Sequence, residues 1–155
     1  MPKSLKICLL FLLIPFVLSG QTFQVKVIGI SDGDTFTGLN RDSLQLKFRI
    51  HAIDAPEKKQ AFGTKSKEHL SSLIFGQTVT VHVNSQDGWG RYIATVSNMD
   101  RKDVGKEMIK AGLAWHYKQF DNSEEYAQIE KIAQKDKIGL WRDPKPVPPW
   151  QFRKK

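Results

Sequence analysis

Two short stretches hold the side chains best suited to chemistry: Asp32-Gly33-Asp34-Thr35, and Phe48-Arg49-Ile50-His51-Ala52-Ile53-Asp54-Ala55-Pro56-Glu57. In the second, an apolar strand pattern runs into two carboxylates, Asp54 and Glu57, with the Arg49 guanidinium ahead of them. Pro56 lacks an N–H and biases Ala55 towards extended or turn geometry, so the strand should stop near Asp54 and present its last groups at an edge, within reach of a ligand. A third stretch, Asn84-Ser85-Gln86-Asp87-Gly88-Trp89-Gly90-Arg91, is a polar, glycine-rich connection with one large aromatic and one arginine. Carboxylate and carbonyl oxygens favour calcium or magnesium over zinc or copper. A hard cation with fixed guanidinium groups stabilises the charge that builds on a phosphodiester during hydrolysis, and a further carboxylate nearby can handle water.

Each residue also has a duller reading. Asp32 and Asp34 suit a turn, Arg49 and Glu57 suit a surface ion pair, and Asp54 suits a loop without an ion. Arg91 at a strand start is ordinarily solvated, and Trp89 serves as well for a loop anchor as for a stacking platform. The occurrence of all the charged groups in one order favours a site. His51, His69, His82 and His116 show no metal-ligand spacing and read as structural or surface residues.

The elements that must position these groups follow from hydrophobic period. Phe23, Val25, Val27 and Ile30 give the near-alternation of a strand from Thr22 onward, ending at the turn signal Ser31-Asp32-Gly33-Asp34. Thr35 to Leu39 begins a second strand, and Leu44, Leu46, Phe48 and Ile50 supply the buried side of a third. Strict alternation puts Arg49 and Asp54 on opposite faces, so the chain must bulge or bend between them if both serve one site. Thr64 to Phe75 reads as a helix closed by Gly76, and Thr78–Val83 and Tyr92–Val96 as two further strands. Asp103 caps a short helix closed by Gly112, and Ser123 opens a longer one closed near Gly139. After Trp141 the proline-rich stretch Asp143 to Trp150 should be extended, laid along the domain by its tryptophan. Five short strands in the order three, helix, two, with about three helices, predict a β-barrel plus α fold of the five-stranded OB type, whose exposed face binds oligonucleotides.

Residues 1–20 differ from the rest: Lys3 and Lys6 precede the apolar run Ile7 to Leu18, followed by Ser19 and Gly20. This is the pattern of a secretory signal peptide, with an uncleaved membrane anchor as the alternative. Residues 21–155 then form a single domain, expected to be an exported monomer, secreted or periplasmic, without stable membrane association. The only cysteine, Cys8, lies within the leader, so the remainder has no thiol for a disulfide or zinc. Without Lys3 and Lys6, 22 Lys and Arg face 16 Asp and Glu, a formal charge of +6 that suits a polyanion such as nucleic acid.

From about Val25 to Trp150 the sequence resembles the staphylococcal nuclease (thermonuclease) family, particularly its short exported bacterial members. The resemblance rests on Asp32-Gly33-Asp34-Thr35, Phe48-Arg49 through Glu57, Gly90-Arg91-Tyr92, Ala111-Gly112-Leu113-Ala114, Gly139-Leu140-Trp141 and the proline-rich ending, in that order. It implies a calcium ion bound by the Asp34 and Asp54 carboxylates and the Ala55 carbonyl, with Asp32 in the outer shell. Threonine is frequent in the family where this chain has Ala55, but a carbonyl ligand is indifferent to the side chain. The same resemblance makes Glu57 the group that holds or deprotonates water, and Arg49 and Arg91 the phosphate grip. It implies hydrolysis of DNA and RNA with 3′-phosphate ends left, and a barrel face edged by aromatics should prefer unstacked bases and so single strands. The nucleic-acid rim would comprise Trp89, Trp115 and Tyr117, although Gly88 and Trp89 stand where a lysine and a tyrosine commonly precede the glycine of Gly-Arg-Tyr. The rival readings are a non-catalytic OB-fold nucleic-acid-binding module and a binder of some other exported polyanion.

Overall fold

The computed structural model describes residues 20–154. The expected leader, residues 1–20, lies outside the described residues apart from Gly20. Strands β1 (Thr22–Ile30), β2 (Thr35–Leu39) and β3 (Gln45–Ile50) form the expected antiparallel meander. Helix α1 (Gly63–Ile74) then leads to the hairpin of β5 (Thr78–Gln86) and β6 (Tyr92–Ser97), with the two-residue strand β4 (Ile53–Asp54) preceding α1. The barrel closes in the order β1-β2-β3-β6-β5, the β3–β6 pair alone being parallel.

Alternation explains the barrel interior. Val25, Val27, Phe36, Phe48, Ile50, Val79, Val81, Val83, Ala94 and Val96 are all buried, and Phe36 stacks on Phe48 with ring centroids 5.2 Å apart. Leu44 lies outside the third strand and is exposed, and Leu46 is half-buried, so Phe48 and Ile50 alone carry that strand's buried side. α1 covers one end of the barrel with Leu70 and Ile74, and Gly76 terminates it at φ +73.

The remaining helices follow their caps. α2 (Val104–Lys110) opens on Asp103, whose side chain accepts the Lys106 N–H at 3.1 Å, and α3 (Glu124–Lys135) opens on Ser123, which accepts from Tyr126 N–H. Between them β7 (Trp115–His116) pairs antiparallel with β4. α3 stops sooner than expected from Gly139, because Lys137 turns left-handed at φ 52 and a 3₁₀ turn, Gly139–Arg142, follows.

That turn is needed for a close backbone approach. Leu140 N–H donates to Gly112 O at 2.9 Å, and a Cβ on either Gly112 or Gly139 would collide with the other segment's backbone. Gly139→Ala should therefore cost about 2–4 kcal/mol, from overpacking plus the left-handed penalty at φ +57. Urea unfolding of the variant and the wild type measures it.

The proline-rich ending is not extended throughout. Pro149 occupies the first position of a short helix, α4 (Pro149–Phe152), where its missing N–H costs nothing. Trp150 does lay this arm on the domain, its ring stacked on Tyr117 at 5.3 Å and edge-on to Trp115 at 5.6 Å. Among the described residues no helix is long and apolar enough to cross a membrane.

Candidate active site

The bend demanded by the parity of Arg49 and Asp54 is a turn rather than a bulge. After β3 the chain turns through His51 and Ala52, the latter left-handed at φ 66, and resumes as β4. Backbone bonds hold the turn in place: His51 N–H donates to Ala94 O and Tyr117 N–H to Ala52 O, both at 2.8 Å. A non-glycine residue in this region is strained, and such strain persists where surrounding structure over-determines it. Arg49 Nη2 thereby reaches Asp54 Oδ1 at 2.8 Å and Asp34 Oδ2 at 3.3 Å.

Asp34 is held from both sides. Its Oδ1 accepts from the Thr35 hydroxyl at 2.9 Å, and its Oδ2 accepts the Ala55 N–H at 2.9 Å, tying the β1–β2 turn to the end of β4. Asp32 shapes that turn by accepting the Asp34 N–H at 3.1 Å. Asp54 is 1% exposed, fixed opposite Trp115 in the β4–β7 pair. Glu57 follows β4, its carboxylate partly open to solvent.

The charges are mutually compensating. Burial works against the Arg49 charge, and the Asp34 and Asp54 carboxylates more than offset it, so its pKa rises above the ordinary value. At Asp54 burial pushes the pKa up, opposed first by the hydrogen bond from Arg153. Asp32 is pushed up to about 7 by burial and then by the neighbouring Asp34 charge.

Arg91 enters from the β5–β6 hairpin. β5 runs on to Gln86 with a register slip at Val83/Ser85, so the first three residues of the expected loop are strand and residues 87–91 form the turn. Asp87 organises that turn, its Oδ1 accepting the N–H groups of Trp89 and Arg91 at 2.9 Å each and its Oδ2 accepting Arg91 Nε at 2.7 Å. Burial pushes Asp87 up, and the Arg91 hydrogen bonds outweigh it and hold the carboxyl below its ordinary range. The anchored Nε leaves the two Nη groups of Arg91 uncommitted among the described residues.

These groups share one cavity of about 630 Å³. Asp32, Asp34, Arg49, Asp54, Ala55, Glu57 and Arg91 all line it, joined by Trp89 and Tyr117. Trp89 is 87% exposed at the rim. Tyr117 has one face covered by Trp150 and lies 5.8 Å from the Arg49 guanidinium, so it supports that arginine as well as facing the cavity. Trp115, expected in the same rim, does not line the cavity. Its ring packs against Trp141 at 4.4 Å and against Trp150, a buried-side role that follows from its place in β7.

One lining residue carried no recognisable signal in the sequence. Arg153 reads as part of a solvated basic ending, yet its Nη1 donates to Glu57 Oε1 at 2.7 Å and Asp54 Oδ1 at 3.1 Å, and its Nη2 to Asp54 Oδ2 at 2.8 Å. The Trp150 anchor is what brings it there.

A hard cation suits this donor set. Asp34 and Asp54 each place an oxygen against Arg49 Nη2, so the two carboxylates lie close together, and oxygen is the only donor type they offer. Among the described residues no three His, Cys, Asp or Glu side chains cluster as ligands. The side chains thus offer two carboxylates, and carbonyl or water oxygens would complete a calcium shell.

The family model described as staphylococcal nuclease homologue matches residues 47–143. The chain is 40% identical over 153 residues to an uncharacterized endonuclease of Haemophilus influenzae, covering 96% of this chain and 85% of that one. It is 38% identical over 128 residues to an uncharacterized endonuclease of Escherichia coli O157:H7, with 83% of each covered. A staphylococcal-like nuclease, CAN1, of Arabidopsis thaliana is 36% identical over 117 residues, 74% of this chain and 36% of the plant protein.

Proposed function

The chain belongs to the staphylococcal nuclease family, and from that footing we propose that it is a calcium-dependent endonuclease hydrolysing DNA and RNA phosphodiesters to 3′-phosphate ends. The observation that carries this reading is the meeting of Asp34, Asp54, Arg49, Arg91 and Glu57 around one cavity, from three separate parts of the chain.

Asp34 and Asp54, with the Ala55 carbonyl and Asp32 behind them, would hold calcium, which when bound supplies fixed positive charge beside the scissile phosphate. Glu57 orients a water and takes its proton as the water oxygen attacks phosphorus. Arg49 and Arg91 donate to the non-bridging oxygens, whose charge rises as the new P–O bond forms and the bond to the 5′-oxygen breaks. The departing 5′-oxygen takes up a proton, and the phosphate stays on the 3′ side.

Zymography on denatured DNA is the test. A zone cleared in calcium and not in excess chelator supports the reading. Retention of nucleic acid without clearing would instead favour a non-catalytic module, and neither result would favour another polyanion. Export is part of the same proposal, supported by the leader-like residues 1–20.

The rim supports a preference for single strands. Trp89 stands almost fully exposed beside the charged cavity, where an unpaired base can stack on it for about 1–3 kcal/mol. Single strands should be cut faster than a rigid duplex of the same sequence. Trp89→Ala should raise KM more than it lowers kcat, and equal rates on duplex and separated strands would remove the argument.

A further inference from the structure

We propose that Arg153 is a built-in competitor for the divalent cation: the arm ending in α4 closes its guanidinium onto Asp54 and Glu57, and cation binding at Asp54 requires that contact to open. The inference rests on the calcium reading above.

The hydrogen-bond count at Asp54 carries it. Oδ1 accepts from Arg49 at 2.8 Å and Arg153 at 3.1 Å, and Oδ2 accepts from Arg153 at 2.8 Å, so both oxygens of a buried carboxylate are committed to guanidinium groups. A fork that spans both oxygens in parallel is the strong form of this contact. A cation approaching Asp54 needs at least one of those lone-pair directions, and two positive groups at one carboxylate repel.

Arg49 and Arg153 differ in which can leave. The Arg49 side chain is 16% exposed, lies within barrel strand β3, paired on both sides, and bridges two aspartates. Arg153 is 41% exposed and lies just beyond a helix of four residues, so its side chain can swing into solvent without disturbing the barrel. The same contact occupies Glu57, whose Oε1 accepts from Arg153 Nη1 at 2.7 Å. That oxygen, engaged by the guanidinium, is not free to orient a water, so the closed arm opposes both halves of the proposed chemistry. The arm is seated with some care: Trp150 stacks on Tyr117, Pro149 is buried, and Gln60 donates to the Val147 carbonyl at 2.6 Å.

When a binding-competent state is only a fraction of the population, apparent affinity falls by that fraction. Removing the Arg153 fork should therefore tighten calcium binding. The measurement is calorimetric calcium affinity, without substrate, for wild type, Arg153→Gln and Lys154→Gln. The last removes a neighbouring positive charge that makes no contact with Asp54 or Glu57, and so reports net charge alone.

The expected result is a Kd lower by about tenfold or more in Arg153→Gln, with Lys154→Gln close to wild type. Equal or weaker binding in Arg153→Gln overturns the competition, as does equal tightening in both variants. Calcium binding to none of the three is a different outcome: it removes the calcium reading, and the competition falls with it. Circular dichroism of Arg153→Gln checks that the barrel is intact, as expected for a partly exposed side chain beyond the last helix.

Discussion

Arg49→Lys and Arg91→Lys are each expected to lower kcat by about 100-fold or more, while affinity for a nucleic acid changes far less. The geometry gives each arginine an anchor and a free edge. Arg49 commits Nη2 to Asp34 and Asp54, leaving Nη1 and Nε for a ligand among the described residues. Arg91 commits Nε to Asp87 and keeps both Nη groups. A lysine keeps the charge but cannot hold an aspartate and present paired N–H groups to a phosphate at once. Preorganised donors matter most where charge builds in the transition state, so the loss belongs in kcat. A simple basic patch predicts the reverse, with little effect of either substitution and affinity governed by salt. The check is kcat and Kd for both variants on one oligonucleotide, with calcium for turnover and a non-supporting ion for binding. Wild-type kcat in either variant would remove that arginine from the catalytic set.

The barrel was legible because its signals are periodic or local. Alternation in Val25–Val27 and Val79–Val81–Val83 specifies strands, Asp103 and Ser123 specify helix starts, and Gly76 a helix end. The order of the charged residues made the site visible as a group. Their meeting was not visible, because it depends on β4 and β7, two residues each, which are too short to carry a period, and on a left-handed Ala52 that no residue preference announces. The packing of Trp115 on Trp141 and Trp150, away from the cavity lining, was hidden for the same reason, since the pairing of β7 with β4 sets its place. The early end of α3 and the helical turn at Pro149 follow from the Gly112–Gly139 approach and the Trp150 packing, contacts between segments far apart in sequence. Arg153 is the strongest case: nothing in a terminal Arg-Lys-Lys distinguishes a salt-bridged guanidinium from a solvated one.

Asp34→Asn and Asp54→Asn should each weaken calcium binding by at least the roughly 10–100-fold that loss of an outer partner costs at metal sites, because each removes a charged oxygen ligand. Turnover should fall with it. The two need not be equal: Asp54 is also the anchor of Arg49 and Arg153, so its amide variant leaves two guanidinium groups without their shared carboxylate. Unchanged calcium affinity by calorimetry would take the residue out of the ligand set.

Catalysis by carboxylate-held calcium with two guanidinium groups is tested most directly by cutting one single-stranded oligonucleotide with the purified wild type and Asp54→Asn, in calcium and in excess chelator, and analysing the product ends. Cleavage to 3′-phosphate ends by the wild type in calcium alone, with the variant strongly impaired, is the predicted result. Full wild-type cleavage in excess chelator would contradict it.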